Sequence, residues 1–346
     1  MASYEKYKLR SGKTKWRVYW QQPDHTQRNK SGFDRKIDAE NWVAENVTTA
    51  INKNSYVDPQ GGKALIGELG TQWLEARRSI WKPSNFHSNE TSWRVHVLPR
   101  WGQRRLSQVQ HSEVQAWVNE MSMNRSATVV LRAFGILKGV YETAIRDGRL
   151  HKSPTDDIQL PRKTRRKHIY LTPEQLSVLA QNSGIYSPLI LVLGLCGLRW
   201  GEATALTVAD VDFENSRLHV TKSVTKVGSH YALGTPKNWK SRDVPLFAPV
   251  SEALRETVRN KEPNDLLFLG ERGGYVSPVS IGRNHNCWYK KALESAGLPL
   301  LPAHDLRHTA ASIAVHSGAN VKAVQRMLGH SWLFALWRGL GVDVVE

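Results

Sequence analysis

Five side chains have the types and the sequence settings that phosphate chemistry requires. Arg199 stands in "GLRWGE", Lys237 in "TPKNWKSRDVPL", His304 and Arg307 in "HDLRHT", and His330 at the end of "LGH". Arginine makes bidentate contacts with phosphate oxygens, and two arginines on one phosphate can stabilise a pentavalent phosphoryl transition state. Lysine and histidine can donate a proton to a leaving alkoxide. These residue types together indicate phosphoryl transfer.

The sequence offers no ligand set for a catalytic metal ion. No clustered carboxylates suggest Mg²⁺, and no Cys/His spacing suggests zinc. Cys196 and Cys287 cannot form a disulfide framework or a metal site alone, and Cys196 in "LVLGLCGLRW" is expected to be a small core residue. We therefore expect metal-free phosphodiester transfer without a cofactor. It needs a protein nucleophile that forms a covalent intermediate.

The surrounding segments predict the elements that must position these groups. "YSPLILVLGLCGLRWGEATAL" predicts an apolar helix leading into Arg199, with Glu202 one helical turn beyond it. "RLHVTKSVTKVGSHYALGTPKNWKSRDVPL" predicts short strands, with Lys237 at a hairpin. "AHDLRHTAASIAVHSGANVKAVQRMLGH" predicts two helices split at "SGAN", the second ending at His330. His304 and Arg307 are then at i and i+3 and share a helix face.

The rest of the chain divides into recognisable parts. Residues 1–58 predict strands around the turn "SGK" and in "TQRNKSGF", followed by a helix in "DRKIDAENWVAENVTTAINKN". Residues 63–155 carry apolar residues at helical spacing, and residues 156–168 form a basic linker. In residues 169–346, "LTPEQL" begins a helix with Thr172 as N-cap and Pro173 at the first helical position. The expected fold class is multidomain α+β.

The charge balance predicts a polyanionic partner. The sequence has 48 Lys and Arg against 31 Asp and Glu, giving a net charge of +17. Nucleic acid is the expected partner, and an anionic membrane surface is less favoured because no basic amphipathic anchor helix is evident. The absence of a long apolar run or an N-terminal apolar signal segment fits a cytoplasmic, nucleoid-associated protein.

Basic side chains in two places are candidate DNA contacts. They are Lys13, Lys15 and Arg17 in the N-terminal strands, and Arg162, Lys163, Arg165, Arg166 and Lys167 in the linker. A cationic linker is attracted to phosphate without reading base sequence. The alternatives are a capping module with solvated lysines and a solubilising charge run.

The four boxes "GLRWGE", the Lys237 hairpin, "HDLRHT" and "LGH" together resemble the catalytic boxes of the tyrosine recombinase (phage integrase) family. The domain order is similar to that of its arm-binding phage or prophage members. The resemblance implies an arm-type DNA-binding domain over residues 1–58 and a helical, SAM-like core-binding domain over residues 63–155. It also implies a mixed, mainly α catalytic domain over residues 169–346.

The resemblance also implies roles for the candidate site residues. Arg199 and Arg307 would bind the scissile phosphate, and His330 would hydrogen-bond it. The implied reaction is site-specific DNA recombination through a 3′-phosphotyrosine intermediate.

Proton transfer and support would fall to the remaining residues. Lys237 would be the general acid to the 5′-hydroxyl leaving group, and Lys240 is a weaker candidate for that role. His304 would assist proton transfer. Glu202 would support Arg199 and His304.

The sequence departs from the family pattern after "LGH". The family places a tyrosine nine or ten residues after this histidine, where this chain has Gly339 and Leu340, and no tyrosine follows Tyr289. Ser331 lies too close to His330 to replace it. We expect a chain that binds DNA but does not cleave it alone, as from a frameshifted or truncated prophage gene.

Double-stranded DNA at attachment sites is the expected partner. A tetramer on DNA, weakened by the missing C-terminal helix, and DNA-bending helper proteins are further expectations. Two other functions remain open: a non-catalytic protein that occupies attachment sites or modulates a full-length integrase, and a metal-dependent nuclease. The lack of clustered carboxylates argues against the nuclease.

Overall fold

The computed structural model describes residues 2–21, 27–48, 61–164, 167–235, 241–282 and 287–329. The chain divides into two compact units, residues 1–164 and 165–346. Among these described residues, three separate hydrophobic clusters form the cores, two in the first unit and one in the second.

The N-terminal part of the first unit is a three-stranded antiparallel sheet with one helix. The strands are β1 (Ser3–Lys8), β2 (Thr14–Gln21) and β3 (Gln27–Phe33), in the order β1-β2-β3, and the helix is α1 (Lys36–Val43), continued by a wider turn over Ala44–Thr48. Val18 and Trp20 alternate along β2 and are buried with Ala39 and Val43 of α1. The predicted strands and helix are present, although the predicted helix runs on into residues that are not described.

The rest of the first unit is helical, as the 3.6-residue spacing of apolar residues predicted. Its helices are α2 (Ile66–Glu75), α3 (Pro83–Ser92), α4 (Leu98–Trp101), α5 (His111–Asn124) and α6 (Ala127–Arg146). Tryptophans make much of its core, and Trp101 packs edge-on against Trp117 with ring centroids 5.7 Å apart. The tryptophans here are therefore mainly packing residues.

The described residues of the second unit form helices and two small sheets. Its helices are α7 (Pro173–Gln181), α8 (Ser187–Leu191), α9 (Trp200–Ala203), α10 (Ala248–Val258), α11 (Trp288–Ser295), α12 (Ala303–His316) and α13 (Val321–Leu328). Its strands are β4 (Val211–Asp212), β5 (Arg217–Val220), β6 (Ser223–Val227), β7 (His230–Gly234) and β8 (Arg242–Pro245). Strands β4, β5 and β8 form one antiparallel sheet, and β6 and β7 form a separate hairpin.

Several local predictions are confirmed. The Thr172 hydroxyl accepts a hydrogen bond from the backbone N–H of Gln175, with Pro173 at the first helical position. Cys196 is fully buried in the core. The mixed α+β fold class is also confirmed. Of the helices described, none combines the length and apolar character that crossing a membrane requires.

One predicted boundary is wrong. The last described helix ends at Leu328, because Gly329 adopts a left-handed conformation with φ +60°. The predicted helix end, His330, is two residues further on.

Candidate functional site

Arg199 is positioned by a left-handed glycine and a short helix. An apolar helical stretch, Ser187–Cys196, ends at Gly197, whose φ is +66°. The chain then turns so that Arg199 is the N-cap of α9, and its backbone N–H donates to the Glu202 carboxylate over 2.9 Å. Its side chain is 20% exposed. Arg199 therefore presents its guanidinium at the edge of the site.

Glu202 is the centre of the site. Its side chain is fully buried, and its carboxylate accepts from Arg199 Nη1 over 2.7 Å. Arg242 on β8 donates to both carboxylate oxygens, over 3.2 and 2.7 Å, and its Nε donates to the Met327 carbonyl over 2.8 Å. One carboxylate thus holds two arginines from distant parts of the sequence in a fixed orientation.

Arg307 is positioned mainly by backbone carbonyls. Its Nη1 donates to the Gly197 carbonyl over 2.6 Å and lies 4.0 Å from Glu202 Oε2. Its Nη2 donates to the Leu328 carbonyl. The side chain is 2% exposed, and its Nε has no hydrogen-bond partner in the described structure. In this conformation Arg199, and not Arg307, is the arginine that reaches solvent.

The charges of these groups shift one another's pKa values. Burial alone would raise the pKa of Glu202, but hydrogen bonds and charge from Arg242 and Arg199 outweigh it and lower the pKa to about 2. Burial and the neighbouring Arg199 cation lower the pKa of Arg307 to about 9. At neutral pH the three guanidinium groups therefore share one carboxylate, which leaves a local excess of positive charge.

His304 lies one helical turn before Arg307 on α12 and is exposed. Desolvation by the surrounding protein and the Arg307 cation lower its pKa. Glu202 makes no hydrogen bond with His304 in the described structure; its hydrogen-bond partners are Arg199 and Arg242. The expected support of His304 by Glu202 is therefore absent in this conformation.

A second polar cluster lies beside His304. The His308 ring is 5.1 Å from that of His304 and 4.2 Å from that of His168, measured between centroids. Asp305 lies 3.1 Å from His168 Nδ1. Burial and the neighbouring His168 and His304 lower the pKa of His308 to about 4, so its imidazole is neutral at physiological pH.

Some predicted site residues lie outside the described residues. They are Lys237, Lys240, His330, Arg165, Arg166, and the positions after "LGH", including Gly339 and Leu340. The structure brings Arg199, Glu202 and Arg307 together, with His304 next to Arg307. The predicted roles of all these residues stay predictions.

The candidate DNA-contacting side chains differ in whether they are exposed or already paired with another residue. Arg162, Lys163 and Lys167 are exposed, as is Lys13 in the turn between β1 and β2. Lys15 forms an ion pair with Asp34 over 2.5 Å.

Arg17 already has partners on the sheet. It donates to the Tyr19 hydroxyl over 3.2 Å, and its guanidinium lies 4.9 Å from the centre of the Tyr7 ring. Lys15 and Arg17 are therefore less available than their sequence positions suggested.

Arg242 is the site residue that sequence reasoning missed. It stands in "KSRDVPL", five residues after the proposed catalytic Lys237. Its partner Glu202 is 40 positions away, so the pair appears only in the folded chain. A signal was available, because an arginine on a strand that enters the core needs a buried acceptor.

The chain matches two described families. Residues 167–333 match "Phage integrase family", and residues 66–160 match "Phage integrase central domain". The chain is 27% identical over 315 residues to the integrase of Mycobacterium phage D29, covering 86% of this chain and 82% of that protein.

Solved structures share its fold. The Tn1549 transposon integrase, solved with a circular intermediate DNA, superimposes with a TM-score of 0.67 at 24% identity, over 80% of this chain and 94% of that chain. A lambda integrase dimer bound to a COC′ core site gives a TM-score of 0.65 at 14% identity, over 99% of this chain and 97% of that chain. Taken with the two family matches, these similarities identify the chain as a member of the phage integrase family of tyrosine recombinases.

Proposed function

We propose that this chain is a site-specific recombinase of the phage-integrase type that binds double-stranded DNA and holds one scissile phosphodiester at the Arg199 site. The observation that carries the proposal is the convergence of Arg199, Arg242 and Arg307 on the single carboxylate of Glu202. One carboxylate cannot neutralise three guanidinium groups, so the site keeps a net positive charge that can bind an anion. The Tn1549 and lambda integrases were solved bound to DNA, which supports DNA as the partner.

Each site residue has a role in this proposal. Arg199 receives the phosphate first, because its guanidinium is the partly exposed one. Arg307 joins it after releasing its bond to the Leu328 carbonyl. Lys237 protonates the 5′-hydroxyl leaving group, His304 assists, and His330 hydrogen-bonds the phosphate.

The parts of the chain have separate roles in DNA binding. Residues 1–58 act as the arm-type DNA-binding domain, and residues 63–155 act as the core-binding domain. Residues 156–168 form the basic linker, and residues 169–346 act as the catalytic domain. The three separate hydrophobic cores support this division.

The nucleophile of the family reaction is a tyrosine that forms a 3′-phosphotyrosine, and we propose that this sequence does not supply one by itself. Tyr289 is fully buried, and burial raises the pKa of its hydroxyl further above its ordinary value. Gly339 and Leu340 stand where the family pattern places the tyrosine. Binding and phosphate capture are then separable from cleavage in this chain.

The test begins with duplexes selected from a random library for retention by the full chain. Wild type and Arg199→Ala are compared for affinity, and denaturing gels report covalent protein–DNA adducts. We expect sequence-selective binding without adducts, and a loss of affinity of roughly 10-fold or more for Arg199→Ala, as for one charge-assisted contact. Absence of selective binding would refute the recombinase proposal, whereas adducts from the wild-type chain would refute the cleavage defect.

A further inference from the structure

Three potential metal ligands from two distant segments meet at the start of α12. His168, Asp305 and His308 each offer one ligand atom, and these atoms all lie within 4.8 Å of one another. His168 is 137 positions from Asp305 in the sequence, which is why no ligand spacing is visible in the sequence itself. The cluster therefore exists only in the folded chain.

The distances suit a shared ion. Two ligands of a tetrahedral zinc ion with bonds of about 2.0–2.1 Å lie about 3.3 Å apart. The separation between His168 Nδ1 and Asp305 Oδ1 is 3.1 Å. The ligand atoms all lie within 4.8 Å of one another, so binding a shared ion would shorten the longer separations by at most about 1.5 Å.

Burial and hydrogen bonding also leave His308 and Asp305 placed to bind a metal ion. His308 is 9% exposed, and its Nδ1 has no hydrogen-bond partner in the part of the chain that the structure describes. Asp305 is 3% exposed and also accepts from the backbone N–H of Ile169 over 3.4 Å, which fixes its orientation.

We propose that His168, Asp305 and His308 form a binding site for a divalent transition-metal ion of the zinc class, with water completing the coordination. Two imidazoles and one carboxylate favour zinc, cobalt or nickel over magnesium or calcium. The site is separate from the arginine cluster and contributes no group to phosphoryl transfer.

The ion would link the chain segment that precedes α7 to helix α12. Among the described residues, His168 and Ile169 contact Asp305 of α12, and the Leu171 N–H donates to the Thr309 hydroxyl over 3.1 Å. A metal bridge would add a bond between this segment and the helix that carries His304 and Arg307. Metal binding would thereby stabilise the contact between this segment and α12, the helix that contains "HDLRHT".

The test uses the full chain after removal of metal with EDTA. Zinc chloride is titrated calorimetrically, and thermal unfolding is measured with and without zinc. His168→Gln removes one proposed ligand at an exposed position, so its fold should be preserved. His316→Gln is the matched control, because His316 is exposed on the same helix and outside the cluster.

We expect one zinc ion per chain, with a higher Tm in zinc for wild type and His316→Gln. His168→Gln should bind at least ~10-fold more weakly, since disturbing even outer-shell partners costs 10- to 100-fold. Equal affinity in His168→Gln, or no zinc effect on the wild-type Tm, would overturn the proposal. Cobalt(II) adds a spectroscopic check, because a thiolate-to-cobalt charge-transfer band would assign the ion to Cys196 or Cys287 and also overturn it.

Discussion

At the residue scale, Glu202 shows how the site keeps its cations close together. A buried carboxylate is costly unless it is paired and hydrogen-bonded, and Glu202 has both compensations, from Arg199 and Arg242. Arg307 is less well compensated, since its partners are carbonyl oxygens and its Nε has none in the described structure. Glu202 therefore supplies the negative charge that offsets the repulsion among these neighbouring arginines.

Replacing Glu202 with Gln should destabilise the second unit. The substitution keeps the shape but leaves buried guanidinium groups without their counter-charge, so we expect a loss of about 3 kcal/mol in the free energy of unfolding. Urea unfolding at pH 7 measures it. Glu256→Gln, at an exposed pair with Arg259, is the control and should change stability by less than about 0.5 kcal/mol.

Wild type and Glu202→Gln should also differ in how their stability depends on pH. The folded pKa of Glu202, about 2, lies below the value near 4.3 of an unfolded glutamate. Its contribution to stability is therefore fully present above the unfolded pKa and is lost as the pH falls towards 2. The difference in the free energy of unfolding between the two proteins should shrink between pH 5 and pH 2; a constant difference would contradict the assignment.

Arg242→Lys tests the arginine that the sequence motifs did not reveal. A lysine ammonium cannot reproduce a bidentate contact with Glu202 together with the bond to the Met327 carbonyl. We expect a loss of about 2 kcal/mol in the free energy of unfolding, in the range of hydrogen bonds to charged groups. Arg259→Lys is the control; if both variants unfold at the same urea concentration, Arg242 has no structural role.

At the element scale, Gly197 joins an apolar helical stretch to the arginine-bearing turn. A Cβ at this position would lie 2.5 Å from Leu328 Cδ2 and 3.2 Å from Ala310 Cβ. It would also strain the left-handed backbone. Helices α12 and α13 therefore approach this turn so closely only because residue 197 is glycine.

Gly197→Ala should cost more than an ordinary left-handed substitution. Gly184 also has a positive φ, +54°, but a Cβ there would meet no atom within 4 Å. Gly184→Ala should therefore cost about 1 kcal/mol, from backbone strain alone. Gly197→Ala should cost about 3 kcal/mol, from strain and overpacking together. Thermal unfolding of both variants measures the difference. Equal losses would show that the Leu328 side chain moves away from the added methyl group without a measurable cost in stability.

Local signals predicted much of the fold and part of the site. The N-cap at Thr172, the short strands and the helical position of His304 and Arg307 follow from residues near each other in the sequence. Arg242 with Glu202, and His168 with Asp305, could not be predicted in this way because each pair is formed by tertiary packing. The separation of the β6–β7 hairpin from the other sheet was likewise not evident from alternation of apolar residues.

At the scale of the whole molecule, the net charge of +17 makes any DNA binding strongly dependent on salt. The exposed Arg162, Lys163 and Lys167 contribute to this dependence only if they lie near phosphates. Removing one side chain that neutralises a phosphate should reduce the slope of log K against log salt by about 0.9.

The triple substitution of these three residues by Ala should therefore reduce the salt slope while leaving the preferred DNA sequence unchanged. Affinities on a selected duplex and on a scrambled one, measured over a salt series, test this. Arg259→Ala, which removes an exposed arginine already paired with Glu256, is the control. An unchanged slope in the triple variant would favour the interpretation of the linker as a solubilising charge run.

The carbonyl groups that receive Arg307 belong to Gly197 and Leu328, which are 131 positions apart. Contacts of such long sequence separation are slow to form, because closing the long loop between them costs conformational entropy. A partly folded chain that has not made these contacts has the arginines without the carbonyl groups that orient Arg307. We expect phosphate binding at this site to appear in refolding kinetics together with the last native contacts of the second unit.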